Sequence, residues 1–233
     1  ADQVSDLVQF LIILFGLAIA TPFVIKGCGG WAAISAKLPA EQLSPTKIGW
    51  VVIIGYIFNY FCTFLSGPEM ISRFESAKDE QTAMKASLLS GVLMAAMAIF
   101  PTLLGLAALA VKDSLPGVTG ATSMMAVTTK FAPSFITGLV SAAIISATMS
   151  SADSNLLCMS TMFMNDIYLN YSTKEIAEER KIFLVRLCNV VFCAVAMLIS
   201  FLGINIVTMN TFAFAIRCAG PFAAYGLGMV YPS

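Results

Sequence analysis

The sequence predicts an all-α, polytopic membrane protein with about six transmembrane helices, and three observations carry that expectation. Hydrophobic residues make up 58% of the chain and its mean hydropathy is +0.87, where soluble domains run at roughly 45–50% apolar. Charged residues make up only 11%, too few to clothe a water-facing surface. The apolar runs recur at lengths that can cross a bilayer, which takes about 20 helical residues each. With a formal net charge of +0, electrostatics argues for neither nucleic acid nor an acidic partner, and no nucleic acid is expected.

The expected spans lie at about 6–25, 48–66, 85–111, 134–164, 181–203 and 206–230. The first follows Ala1 to Asp6, which has neither an initiator methionine nor a basic leader, so it does not read as a signal peptide and the chain reads as a segment of a longer protein. Gly27-Cys28-Gly29-Gly30 ends it. The second span closes at Gly67-Pro68, a helix-ending pair, and a charged stretch with Arg73, Glu75, Lys78, Asp79, Glu80 and Lys85 leads into the third. Lys112 to Pro133, with Pro116, Gly117 and Gly120, is a loop of small and polar residues. The fourth span is longer than a bilayer requires and is expected to tilt or project. Asp166 to Arg186 is the second charged segment, and the join near Gly203 to Asn205 is too short to read.

Basic residues set the orientation. The two charged joins hold seven (Arg73, Lys78, Lys85, Lys174, Arg180, Lys181, Arg186), against five in the other two (Lys26, Lys37, Lys47, Lys112, Lys130), which places the charged segments in the cytoplasm. On that side Asn170-Tyr171-Ser172 is not a glycosylation acceptor.

Polar groups inside spans point toward chemistry, because lipid makes them costly. Ser146 to Asn155 concentrates them. At about 100° per residue, Ala147, Ser150, Ser151 and Ser154 share an arc of roughly 100°, and Asp153 lies about 60° from Ser150. A stripe of hydroxyls edged by a carboxylate offers the oxygen ligands a hard cation such as sodium takes. The same small-polar stripe also suits close helix packing, and Asp153 tips the reading toward a cation. Asp6 opens the first span, where a helix N-terminal charge is the plainer role. Arg217 either snorkels or pairs with a buried acid. Asn59, Tyr60, Thr63 and Phe64 mix aromatic and polar groups as a solute pocket does.

The six cysteines (Cys28, Cys62, Cys158, Cys188, Cys193, Cys218) form no CxxC pair and there is no histidine. They read as small hydrophobes, with no zinc site. The lack of histidine also removes a Ser-His pair within the chain, so an intramembrane enzyme, like a channel-type subunit, stands far behind a transporter.

Met149-Ser150-Ser151-Ala152-Asp153-Ser154 with Asp166-Ile167-Tyr168, then Pro68, Arg73 and Ser76-Ala77-Lys78-Asp79-Glu80, then Ser5-Asp6-Leu7-Val8-Gln9, together resemble three blocks of the sodium/solute symporter family. The resemblance implies a LeuT-like core of ten helices in two inverted repeats. Residues 1–30 would be the last helix of the first repeat and 48–233 the second five-helix repeat, with the N-terminal repeat of the same protein missing from this chain. It further implies sodium-coupled symport of a small organic solute across the cell (plasma) membrane, and not an enzyme. Na+ would be held at the eighth core helix by the carbonyl of Ala147 and the oxygens of Ser150 and Ser151. Asp6, Asp153 and Ser154 would form a second cation or proton site, although Asp153 stands where other members carry a hydroxyl. Gly16 to Ile25 and Met149 to Ser154 are similar to the high-affinity choline transporter branch and Gly67-Pro68 to the proline branch, and the two likenesses leave the solute open.

Overall fold

The computed structural model describes residues 2–171, 177–222, 224 and 228, and among these it contains helices and no strand. In chain order the helices are α1 (Asp2–Gly27), α2 (Trp31–Lys37), α3 (Ala40–Leu43), α4 (Trp50–Ser66), α5 (Pro68–Glu75), α6 (Glu80–Met97) and α7 (Ile99–Ala110). They continue with α8 (Ser123–Phe131), α9 (Ser134–Met162), α10 (Leu169–Tyr171), α11 (Glu178–Ser200) and α12 (Ile206–Ala219). Four helical runs are long and apolar enough to cross a membrane, Val4–Gly27, Glu80–Ala110, Ser134–Tyr171 and Glu178–Ser200, and two shorter apolar helices, Trp50–Ser66 and Ile206–Ala219, fall where the remaining spans are expected. Positions 223, 225–227 and 229–230 of the sixth expected span, and Ser172 of the Asn170 triplet, lie outside the described residues.

Local chemistry explains the joins. After α1 the chain turns at Gly29 and Gly30, with φ of 94° and 88°, a region side chains with a Cβ avoid. There the Gly30 N–H reaches back to the Ile25 carbonyl at 2.9 Å. Gly67 is extended and Pro68 starts α5 directly, the first-turn position where a missing N–H costs least. The third span is two helices rather than one. Pro101 supplies no N–H to continue the ladder from α6, and Thr102 Oγ1 covers the carbonyl of Ala98 at 2.7 Å. The short join before α12 is closed by Asn205, whose Oδ1 accepts from the Val207 N–H at 2.9 Å. The run beginning with α9 continues through a π turn, Phe163–Tyr168, into α10, so this span spends 38 residues, nearly twice what the hydrocarbon needs.

The chain divides into two compact units, residues 1–48 with 79–151 and residues 49–78 with 152–233, and α9 contributes to both. The first unit has a contiguous apolar core of Leu17, Ala20, Val24, Ile34, Leu104, Ala107, Val127 and Val140, drawn from α1, α2, α7, α8 and α9. Glycines allow close approach. A Cβ on Gly16 would meet Ala143 Cβ and the Leu139 carbonyl at 3.2 Å, and one on Gly27 would meet Phe131 Cβ at 2.7 Å. In the second unit α4 packs on α12, and α11 packs on the π turn, where Phe163 and Phe192 meet edge to face at 5.8 Å. Large apolar side chains elsewhere point outward, such as Leu88, Val92 and Met94 on α6 and Phe183, Val190 and Leu198 on α11, as a lipid-facing surface requires.

Candidate functional site

The unbroken α-helical course of α9 keeps Ala147, Ser150, Ser151 and Ser154 at i, i+3, i+4 and i+7, which aligns them along one face. Ser150 is half-buried, and its hydroxyl donates to Asp6 Oδ1 of α1 at 2.8 Å. Residues 144 positions apart thereby meet, within a unit whose helices already cross closely at Gly16. Ala147 and Ser151 are exposed. Thr148 returns its hydroxyl to the Ile145 carbonyl at 2.8 Å, so it serves its own helix.

The other expected residues fall in the second unit. Asp153 is exposed, and Ser154 accepts from Arg73 Nη2 at 3.4 Å, while Asp6, expected beside them, belongs to the first unit. Arg217, unassigned from the sequence, reaches Asn155 Oδ1 at 3.4 Å. A third contact on this half of α9 links the buried Ser160 hydroxyl to Asn189 Oδ1 of α11. Three elements, α5, α12 and α11, thus each engage a polar side chain of α9.

Asn59, Tyr60, Thr63 and Phe64 lie on α4. Thr63 is fully buried and donates to the Phe214 carbonyl of α12 at 3.2 Å. The Tyr60 ring stacks with Phe64 at 6.0 Å and meets Phe214 edge-on at 5.0 Å. Much of this group therefore joins two helices, and Asn59, half-buried, has its side chain beside the cluster in sequence. Phe214 went unnoticed in the sequence because only the fold brings it here. A cavity of about 320 Å³ lies in the first unit, lined by Ala108, Lys112, Leu115, Thr119 and Ser123 among others, and none of the expected site residues borders it.

Comparison with protein families then decides what these helices belong to. The model of the sodium:solute symporter family matches residues 1–230. The chain belongs to that family. Comparison with curated proteins and with solved structures finds no match. As a sodium:solute symporter chain it is an integral membrane protein of a family that couples solute transport to sodium, and members of that family are transporters rather than enzymes. The resemblance seen in Met149 to Ser154 and its companion blocks holds at the level of the family.

Proposed function

We propose that α9 supplies one wall of the sodium site of a symporter for a small organic solute in the cell membrane, with the Ala147 carbonyl and the Ser150 and Ser151 hydroxyl oxygens as ligands. The contact between Ser150 and Asp6 at 2.8 Å carries the reading. A serine hydroxyl has one proton and two lone pairs. By giving its proton to Asp6, Ser150 leaves its oxygen lone pairs for a cation, and the nearby carboxylate offsets the cation's charge where water is scarce. The Ala147 carbonyl, although inside a helix, keeps a second lone pair beyond its ladder bond. A further repeat of the same LeuT-like protein would complete the coordination shell.

Sodium descending its gradient would then drive the solute, each ion contributing about 2.3 kcal/mol per 100 mV of membrane potential. On α4, Asn59, Tyr60 and Phe64 would face the solute, with Thr63 positioning them through its bond to Phe214. The test is uptake by the intact protein of labelled choline, proline, a monocarboxylate and a sugar, with and without sodium, in the wild type and in the Ser150→Ala/Ser151→Ala double variant. Uptake of one solute should rise with sodium in the wild type and lose that rise in the variant. Unchanged sodium dependence in the double variant refutes the site.

A further inference from the structure

We propose that Cys62 and Cys218 form a two-thiol oxidation site that, once closed to a disulfide, staples α4 to α12. The Cys62 side chain lies against that of Cys218 across the packed α4–α12 pair, and both cysteines are free. Neighbouring contacts hold the two backbones in place. Thr63, next to Cys62, donates to the Phe214 carbonyl at 3.2 Å, and Phe214, one turn before Cys218, receives the edge-on ring of Tyr60 at 5.0 Å. A disulfide needs Cα atoms within about 7 Å of one another, which thiols in contact on two packed helices can meet.

Cys28, Cys188 and Cys193 offer no such pairing with one another. Cys28 sits in the apolar core of the first unit, where burial pushes its thiol above the ordinary value against the pull of Lys37 and Lys130, so it stays protonated and inert. Cys188 and Cys193 lie on the same helix, α11, five positions apart in sequence, and a helix separates residues so spaced by more than a full turn.

Cys62 is fully buried and Cys218 is partly exposed, so a small oxidant meets Cys218 first. With hydrogen peroxide, the Cys218 sulfur attacks one peroxide oxygen, the O–O bond breaks, and water leaves a sulfenic acid behind. The Cys62 sulfur then attacks the sulfenic sulfur. The S–S bond forms, the S–O bond breaks, and a second water departs. Two thiols have lost two protons and two electrons, and one peroxide has become two waters. The link would fix Tyr60 and Phe64 against Phe214, so that any step of transport that separates α4 from α12 stops.

The experiment treats the intact protein in membrane vesicles with hydrogen peroxide, alkylates the remaining thiols after denaturation, and maps the linked peptides by mass spectrometry. The wild type should lose both alkylatable thiols at Cys62 and Cys218 and yield one peptide pair joining them. Cys218→Ser and Cys62→Ala should each abolish that pair, and dithiothreitol should restore both thiols. Two thiols that still alkylate after peroxide overturn the site, and so does a link from Cys218 to Cys188 or Cys193. In a parallel arm, uptake should fall in oxidised wild type, recover with dithiothreitol, and resist peroxide in Cys218→Ser. Full uptake by cross-linked protein overturns the clamp. The mass measurement does not involve sodium or solute, so it stands or falls apart from the sodium site.

Discussion

The first unit closes on apolar side chains such as Val24, Leu104, Val127 and Val140, all fully buried, with Gly16 and Gly27 letting backbones approach. The second unit joins its helices through single polar bonds and ring contacts: Thr63 to the Phe214 carbonyl, Arg73 to Ser154, Arg217 to Asn155 and Ser160 to Asn189. No residue of α11 or α12 is buried among the described residues. Lipid is as apolar as leucine, so burying leucine against leucine has no hydrophobic reward there, and helices in a membrane are held by close van der Waals packing and by hydrogen bonds. The first unit relies on the former and the second, beyond the packed α4–α12 pair, on the latter. Many small contacts spread over a jigsaw resist any one displacement, whereas separate pins can be released one at a time.

The largest expected effect tests the packed side of that contrast. Leu104→Ala should lower the stability of the intact protein by about 1–3 kcal/mol, the cavity part of the cost of truncating a buried leucine, since the transfer part vanishes in lipid. Thermal unfolding in detergent would read it. The pinned side should respond less. Asn189→Ala removes the acceptor of the buried Ser160 hydroxyl and should cost about 0.6 kcal/mol, the mean for hydrogen bonds between membrane helices, and no more than about 1.7, their maximum. If Asn189→Ala proves as damaging as Leu104→Ala, the second unit is a packed body like the first and the contrast fails.

How much of this was legible in the sequence depended on the range of the signal. The spans could be read because apolar length is a local property, and the hydroxyl stripe of α9 because periodicity is one too. The kink before α7 had its own local sign in Pro101, and α8 had one in the i, i+3, i+7 spacing of Met124, Val127 and Phe131, hidden among the glycines and threonines of its loop. Contacts between distant segments were another matter. Periodicity places Ser150 on a face but does not say that Asp6 comes to meet it, and it places Arg217 in an apolar run without naming Asn155. Thr63 read as a pocket residue because of its type and neighbours, and only the position of α12 spends its hydroxyl on Phe214. The two thiols of α4 and α12 are separated by more than half the chain, so no spacing rule pairs them.

The smallest expected effect lies at the edge of the first unit, where packing no longer decides. Asp79 caps α6 by accepting the Thr82 N–H at 2.7 Å, and the Thr82 side chain together with that N–H holds its carboxyl below the ordinary aspartate value. A group whose folded value is depressed stabilises the fold above its unfolded value, about 3.9, and loses that contribution as pH falls through the folded one. The cap should therefore be indifferent to pH from about 8 down to about 5 and weaken only in stronger acid. Hydrogen exchange at the Thr82 amide reads this directly, since it should stay slow at neutral pH, quicken relative to the rest of α6 in acid, and be quick at every pH in Asp79→Ala. The core of Leu104 and Val127 holds no carboxylate, and its Cys28 thiol stays protonated as pH falls, so its amides should ignore the same change. If core and cap loosened together in acid, α6 would not be pinned at its end independently of the packing behind it, and the local character of polar contacts in this protein would be lost.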